Sequence, residues 1–109
     1  MNGFNRREKG FEAKYLHDEE LAFRIKIKRN HLLGLWVAPF LGYFEERADR
    51  YAEEIITIEI QKSHEDDLVH KILRDLEAAR VEMSEHQIRK ELENCSEKAR
   101  QIIMNKEGL

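Results

Sequence analysis

Two imidazoles and three carboxylates gather in the stretch Ser63-His64-Glu65-Asp66-Asp67-Leu68-Val69-His70, the raw material of a divalent-metal site. Di-metal centres in helical bundles need Glu-x-x-His on two helices plus two further carboxylates. The chain has no Glu-x-x-His, and its nearest approach is the single Asp67-x-x-His70. His17, His31, His64, His70 and His86 are scattered, with no pair at the i,i+4 spacing of a helical zinc site. His64, Asp67 and His70 therefore read as a polar helix edge, and neither metal nor cofactor is expected.

Nucleophilic chemistry fares no better. Ser63 and Ser84 sit where helices would begin and read as caps, and there is no Gly-x-Ser-x-Gly elbow. The lone Cys95 falls on an apolar helix seam, where a thiol acts as a small hydrophobe. Gly3, Gly10, Gly34, Gly42 and Gly108 stand apart from one another, so no glycine loop can cradle phosphate. No catalytic residues are assigned, and an enzyme is not expected.

Recognition is the chemistry that the first third supports. On a wheel of ~100° per residue, Phe4, Phe11, Tyr15 and Ala22 fall within an arc of roughly 40°, with Arg6, Lys9, Ala13, His17, Glu20 and Arg24 pointing elsewhere. One thin aromatic stripe on a charged rod cannot close a core of its own. Gly10 costs it about 1 kcal/mol of helix stability relative to Ala. Phe4 to His17 is thus expected to be a mobile segment that orders when a partner supplies the other wall.

The elements that must carry this segment follow from apolar spacing. Asp18-Glu19-Glu20 predicts a helix start, with Asp18 as cap and the carboxylates at the positive end of the helix dipole. Leu21, Ile25, Leu32, Leu35 and Trp36 mark its inward face. Phe23 to Lys28 alternates like a strand, but helix formers surround it and no partner strand exists. Arg24, Lys26, Lys28 and Arg29 read as its solvated side. Pro39 should stop or kink this helix, and Gly42 marks the turn.

A second helix is expected from about 44 to 61, with Phe44, Ala48, Tyr51, Ala52, Ile55 and Ile58 inward. Ser63 and the carboxylates Glu65, Asp66 and Asp67 predict a third, striped by Leu68, Ile72, Leu76 and Ala79. Ser84-Glu85-His86-Gln87 is a capping box. Behind it Ile88, Leu92, Cys95, Ala99 and Ile102 recur at spacings of four, three, four and three. The expected fold is all-α, a four-helix antiparallel bundle over residues 18–109 preceded by the mobile segment 1–17.

Composition narrows the function classes. The chain has 109 residues, room for a single domain, and is 38% charged with one Pro. Its net charge of -3 argues against nucleic acid, whose phosphates demand a basic surface. The uncharged run from Leu32 to Phe44 falls short of the ~20 apolar residues that cross a bilayer, so no direct membrane insertion is expected. One cysteine rules out an internal disulfide and fits a cytoplasmic chain.

Several of these stretches, in the same order, resemble the α-proteobacterial family of ATP synthase inhibitors, the zeta subunit. They are Arg7-Glu8-Lys9-Gly10-Phe11-Glu12-Ala13-Lys14-Tyr15, His17-Asp18-Glu19-Glu20-Leu21, Arg29-Asn30-His31-Leu32-Leu33-Gly34-Leu35-Trp36 and Ser84-Glu85-His86-Gln87-Ile88-Arg89. The resemblance is densest over 4–42 and thinnest over 43–80. It implies a regulator whose N-terminal helix enters an interface between α and β subunits in the catalytic head of the F-type ATP synthase, wedges against the γ shaft and blocks hydrolysis. Phe4, Phe11 and Tyr15 would then anchor; Arg6, Arg7, Glu8, Lys9, Glu12 and Lys14 would pair with charges lining the cleft; and His17, beside three carboxylates, would confer pH sensitivity. The free chain would be a monomer, held at the inner membrane face only through the synthase. Gly10, Asn5 and Pro39 depart from the family pattern, the first two by lowering the segment's helix propensity. Two other readings stand beside this one: a small nucleotide- or ligand-responsive module using the basic side of the first helix, and a generic protein adaptor.

Overall fold

A computed structural model describes the backbone of residues 3–62 and 64–106 and the side chains of 18–58, 61 and 64–106. It contains four α-helices and, among the described residues, no strand: α1 (Gly3–Val37), α2 (Glu46–Lys62), α3 (Glu65–Ala78) and α4 (Glu85–Lys106). A 3₁₀ turn, Ala38–Leu41, joins α1 to α2.

Pro39 explains where α1 ends. It lacks an N–H and clashes with the preceding turn inside a helix, but it is tolerated in a first turn, the place it takes in the 3₁₀ segment. Gly42 closes that segment with φ 81°, and its N–H reaches the carbonyl of Pro39 at 3.0 Å. An L side chain is disfavoured at such a φ, so glycine is the residue this turn requires. The stop expected at Pro39 and the turn at Gly42 are both present.

Two expected helix starts move. Asp18 lies inside α1 rather than at its cap. With no proline among residues 3–17, nothing in the sequence forces a boundary there. Ser63 lies outside the described residues, and α3 begins from His64, which makes no side-chain cap bond, with Glu65, Asp66 and Asp67 in the first turn. The capping box of α4 is complete: Ser84 N–H donates to Gln87 Oε1 at 2.9 Å, and Gln87 N–H donates to Ser84 Oγ at 3.1 Å.

The helices form an antiparallel bundle in which α1 packs against both α2 and α4, and α3 bridges these two. Polar contacts record the register. Tyr51 meets Asp75 while Glu54 meets Lys71, so numbering rises in α2 as it falls in α3. Asp66 meets Arg89 while His70 meets Glu85, which sets α4 antiparallel to α3. Leu33, Val37, Tyr51, Ile55, Leu68, Val69, Ile72, Leu76, Ile88, Leu92 and Cys95 make one core cluster. Burying each large aliphatic side chain fully contributes about 1.5–3 kcal/mol.

Some expected core positions differ. Among the described side chains of α1 the buried residues are Asn30, Leu33, Gly34 and Val37, whereas Leu21, Ile25, Leu32, Leu35 and Trp36 are half-buried. The run from Leu32 to Val37 is apolar almost throughout, so periodicity does not single out one face. Phe44, expected inward, is 64% exposed, and Ala79 is the exposed C-cap of α3. In α4 the seam closes on buried Ile103 rather than half-buried Ile102, a last step of four where three was expected.

Candidate partner interface

The inner half of α1 is clamped backbone to backbone. A Cβ built on Gly34 would lie 2.6 Å from Ala52 Cα, so only glycine permits this approach of α1 to α2. Leu33 and Val37 fill the core beside it, and Asn30, 1% exposed, accepts a hydrogen bond from Arg29 Nε at 2.9 Å on its Oδ1. That bond helps a polar residue occupy a core-facing position. Composition gave no sign of it, since Asn carries no weight in an apolar count.

One face of α1 changes character along its length. Glu19, Ala22, Phe23, Lys26, Asn30, Leu33 and Val37 fall within an arc of about 100° at the helical period. Asn30, Leu33 and Val37 are buried, whereas Glu19, Ala22, Phe23 and Lys26 are exposed, Phe23 by half its surface. The stripe that forms core at one end of α1 is therefore bare over residues 19–26. Arg24 and Lys26 are exposed as expected for a solvated side, but Lys28 and Arg29 are half-buried.

The residues expected to engage a partner are Phe4, Arg6, Arg7, Glu8, Lys9, Phe11, Glu12, Lys14, Tyr15 and His17. They fall in the first half of α1, outside the residues whose side chains are described.

Away from this helix several polar side chains link the helices of the bundle. Tyr51 donates its hydroxyl proton to Asp75 Oδ2 at 2.7 Å, and Lys71 Nζ donates to the same oxygen at 2.7 Å and lies 3.0 Å from Glu54 Oε1. Burial, then Asp75, push the Tyr51 hydroxyl far above its ordinary range. Burial alone would lower Lys71, but its hydrogen bonds to Asp75 and Glu54 outweigh it and raise the ammonium. The i,i+4 spacing of Lys71 and Asp75 was legible in sequence, whereas the cross-helix partners Tyr51 and Glu54 were not. A cleft of about 310 Å³ opens beside them, bounded by Leu41, Tyr43 and Ala78.

In the histidine region the side chains pair across helices α3 and α4. His70 Nε2 stands 3.4 Å from Glu85, and Arg89 donates to Asp66 at 2.8 Å and to Glu85 at 3.0 Å. The hydrogen bond from Arg89 holds the Asp66 carboxyl below its usual range. Among the described residues no three His, Cys, Asp or Glu side chains are grouped to hold a metal. Cys95 is buried on the seam, and burial, then the Glu91 carboxylate, push its thiol up to about 11.

The end of the bundle remote from Gly3 displays aromatic rings. Trp36 and Phe40 meet edge-on at 5.1 Å, and Phe40 and Phe44 are both exposed. Tyr43 turns inward against Tyr51 at 5.7 Å, with the Arg47 guanidinium 4.0 Å over its ring. The exposure of Phe44 was missed because an aromatic residue at helical spacing reads as core.

Residues 1–102 match the family model described as ATPase inhibitor subunit zeta. No curated protein matches the chain.

Proposed function

The chain belongs to the ATPase inhibitor subunit zeta family, and from that premise we propose that it blocks ATP hydrolysis by lodging its N-terminal segment at a catalytic interface of the F-type ATP synthase head. The observation that carries the reading is the extent of the family match, which takes in both the aromatic, charged stretch 4–17 and the bundle behind it. The chain is then a regulator and not a catalyst.

In this reading the labour is divided. Phe4, Phe11 and Tyr15 enter an apolar groove between an α and a β subunit, close to the γ shaft, in the manner of an amphipathic helix docking through anchors seven and four residues apart. Arg6, Arg7, Glu8, Lys9, Glu12, Lys14 and His17 pair with charges along its walls. The bundle stays outside as a second contact and holds the segment at high effective concentration. No helix among the described residues is long and apolar enough to cross a membrane, so the synthase itself would bring the chain to the membrane face.

Adding the purified chain to the cognate catalytic head should lower its ATP hydrolysis, and deleting residues 1–17 should abolish the effect. Equal inhibition by the truncated form would refute the assignment of the segment.

A further inference from the structure

We propose that the inhibitory surface extends beyond the N-terminal segment into the described part of α1, with Phe23 as an additional anchor seated in the same groove of the catalytic head. This inference rests on the function proposed above and adds a residue to it.

Three observations converge on Phe23. It is one of three exposed large hydrophobic side chains among the described residues, at 50% of its surface. The other two, Phe40 and Phe44, belong to the connection at the far end of the bundle. Second, Phe23 lies on the face of α1 that Asn30, Leu33 and Val37 bury further along, and its neighbours one turn away on that face, Glu19 and Lys26, are exposed with it. An aromatic ring between an acid and a base at i-4 and i+3 has the form of a helix-in-groove anchor, with an apolar centre and a charged rim. Third, α1 is unbroken from Gly3 to Val37, so position 23 is eight residues, about 12 Å, beyond Tyr15 on the same helix.

Continuity selects the occupant. A groove that receives residues 4–17 as a helix meets the next two turns of that helix directly. On those turns Phe23 is the exposed large hydrophobic side chain, about 80° round the helix from Tyr15, so it meets the wall of the groove beside the line of Phe4, Phe11 and Tyr15. A second copy of the chain is the competing occupant, and the experiment separates the two.

Phe23→Ala, Phe23→Leu and, as a control at the other end, Phe44→Ala are compared in the full chain against the cognate catalytic head. The expected result is a rise of about thirtyfold in the half-inhibitory concentration for Phe23→Ala, the scale of an aromatic hot spot. Phe23→Leu should recover most of the loss, and Phe44→Ala should stay near the parent. Circular dichroism melts unchanged by Phe23→Ala establish that the bundle is intact. A photo-crosslinking phenylalanine at position 23 should label an α or β subunit. Wild-type potency in Phe23→Ala, or crosslinks only to another copy of the chain, overturns the inference. If Phe23→Ala inhibits fully while deletion of 1–17 does not, the extended surface is wrong and the proposed function stands. If the parent chain itself fails to inhibit, the proposed function falls and takes this inference with it.

Discussion

Gly34 shows how much a single hydrogen atom can decide. Its absent side chain lets α1 approach Ala52 so closely that any Cβ meets backbone, which cannot rotate out of the way. Gly34→Ala gains about 1 kcal/mol of helix propensity and should nonetheless lose more through overpacking, typically about 1–3 kcal/mol. A net drop in chemical-denaturation stability is expected. Cys95 gives a second test at this scale. Its folded-state pKa is raised from 9.0 to about 11, so the contribution of the neutral thiol is complete below pH 9.0 and is lost as pH climbs toward 11. Alkylation at pH 8 should be slow in the native chain and rapid in denaturant. The sequence made Cys95 legible because its neighbours on the seam are apolar at regular spacing. It left Asn30 and Phe44 illegible, the first because buried polarity depends on a hydrogen-bond partner and the second because two left-handed residues, Gly42 and Glu45, flank the Tyr43–Phe44 pair. Neither is a property of apolar period.

At the scale of elements, local chemistry determines helix ends where it is strong. The reciprocal bonds of Ser84 and Gln87 hold the first turn of α4, so Ser84→Ala should cost about 1 kcal/mol in a urea melt. The box was readable because capping needs only residues three apart in sequence. Pro39 was readable for the same reason. The start of α1 was not, since Asp18 has the chemistry of a cap but nothing before it breaks a helix. Pairing between elements depends on tertiary geometry, as α2 and α3 demonstrate. Asp75 accepts from both Tyr51 and Lys71, so Asp75→Ala should cost about 1–3 kcal/mol by leaving the half-buried Lys71 and the buried tyrosine hydroxyl short of a partner. Thermal melts of Asp75→Ala and Asp75→Asn test this, with the amide retaining part of the loss.

At the scale of the molecule, the buried side chains among the described residues run from Asn30 to Ile103. A chain lacking residues 1–17 keeps all of them and should fold with an unchanged denaturation midpoint, while losing inhibition of the synthase. That outcome would separate a folding unit from a working segment within one domain. The all-α class and the number of helices were legible because helix formers, one proline and four apolar stripes leave few alternatives. The choice of neighbours was less so: α1 contacts both α2 and α4 because a helix with apolar residues on several sides can be covered from two directions. The proposed interface became legible through the motifs shared with the zeta family and through the contrast, visible only in three dimensions, between buried Leu33 and exposed Phe23 on one face.

The edge-on contact of Trp36 with Phe40 equips the chain with a built-in optical reporter. Trp36 is the sole tryptophan, half-buried at the end of α1, about 20 Å along the helix from Phe23. Its emission should therefore follow loss of the bundle and remain indifferent to what the other end of α1 engages. Binding and unfolding could then be followed separately in one unlabelled sample.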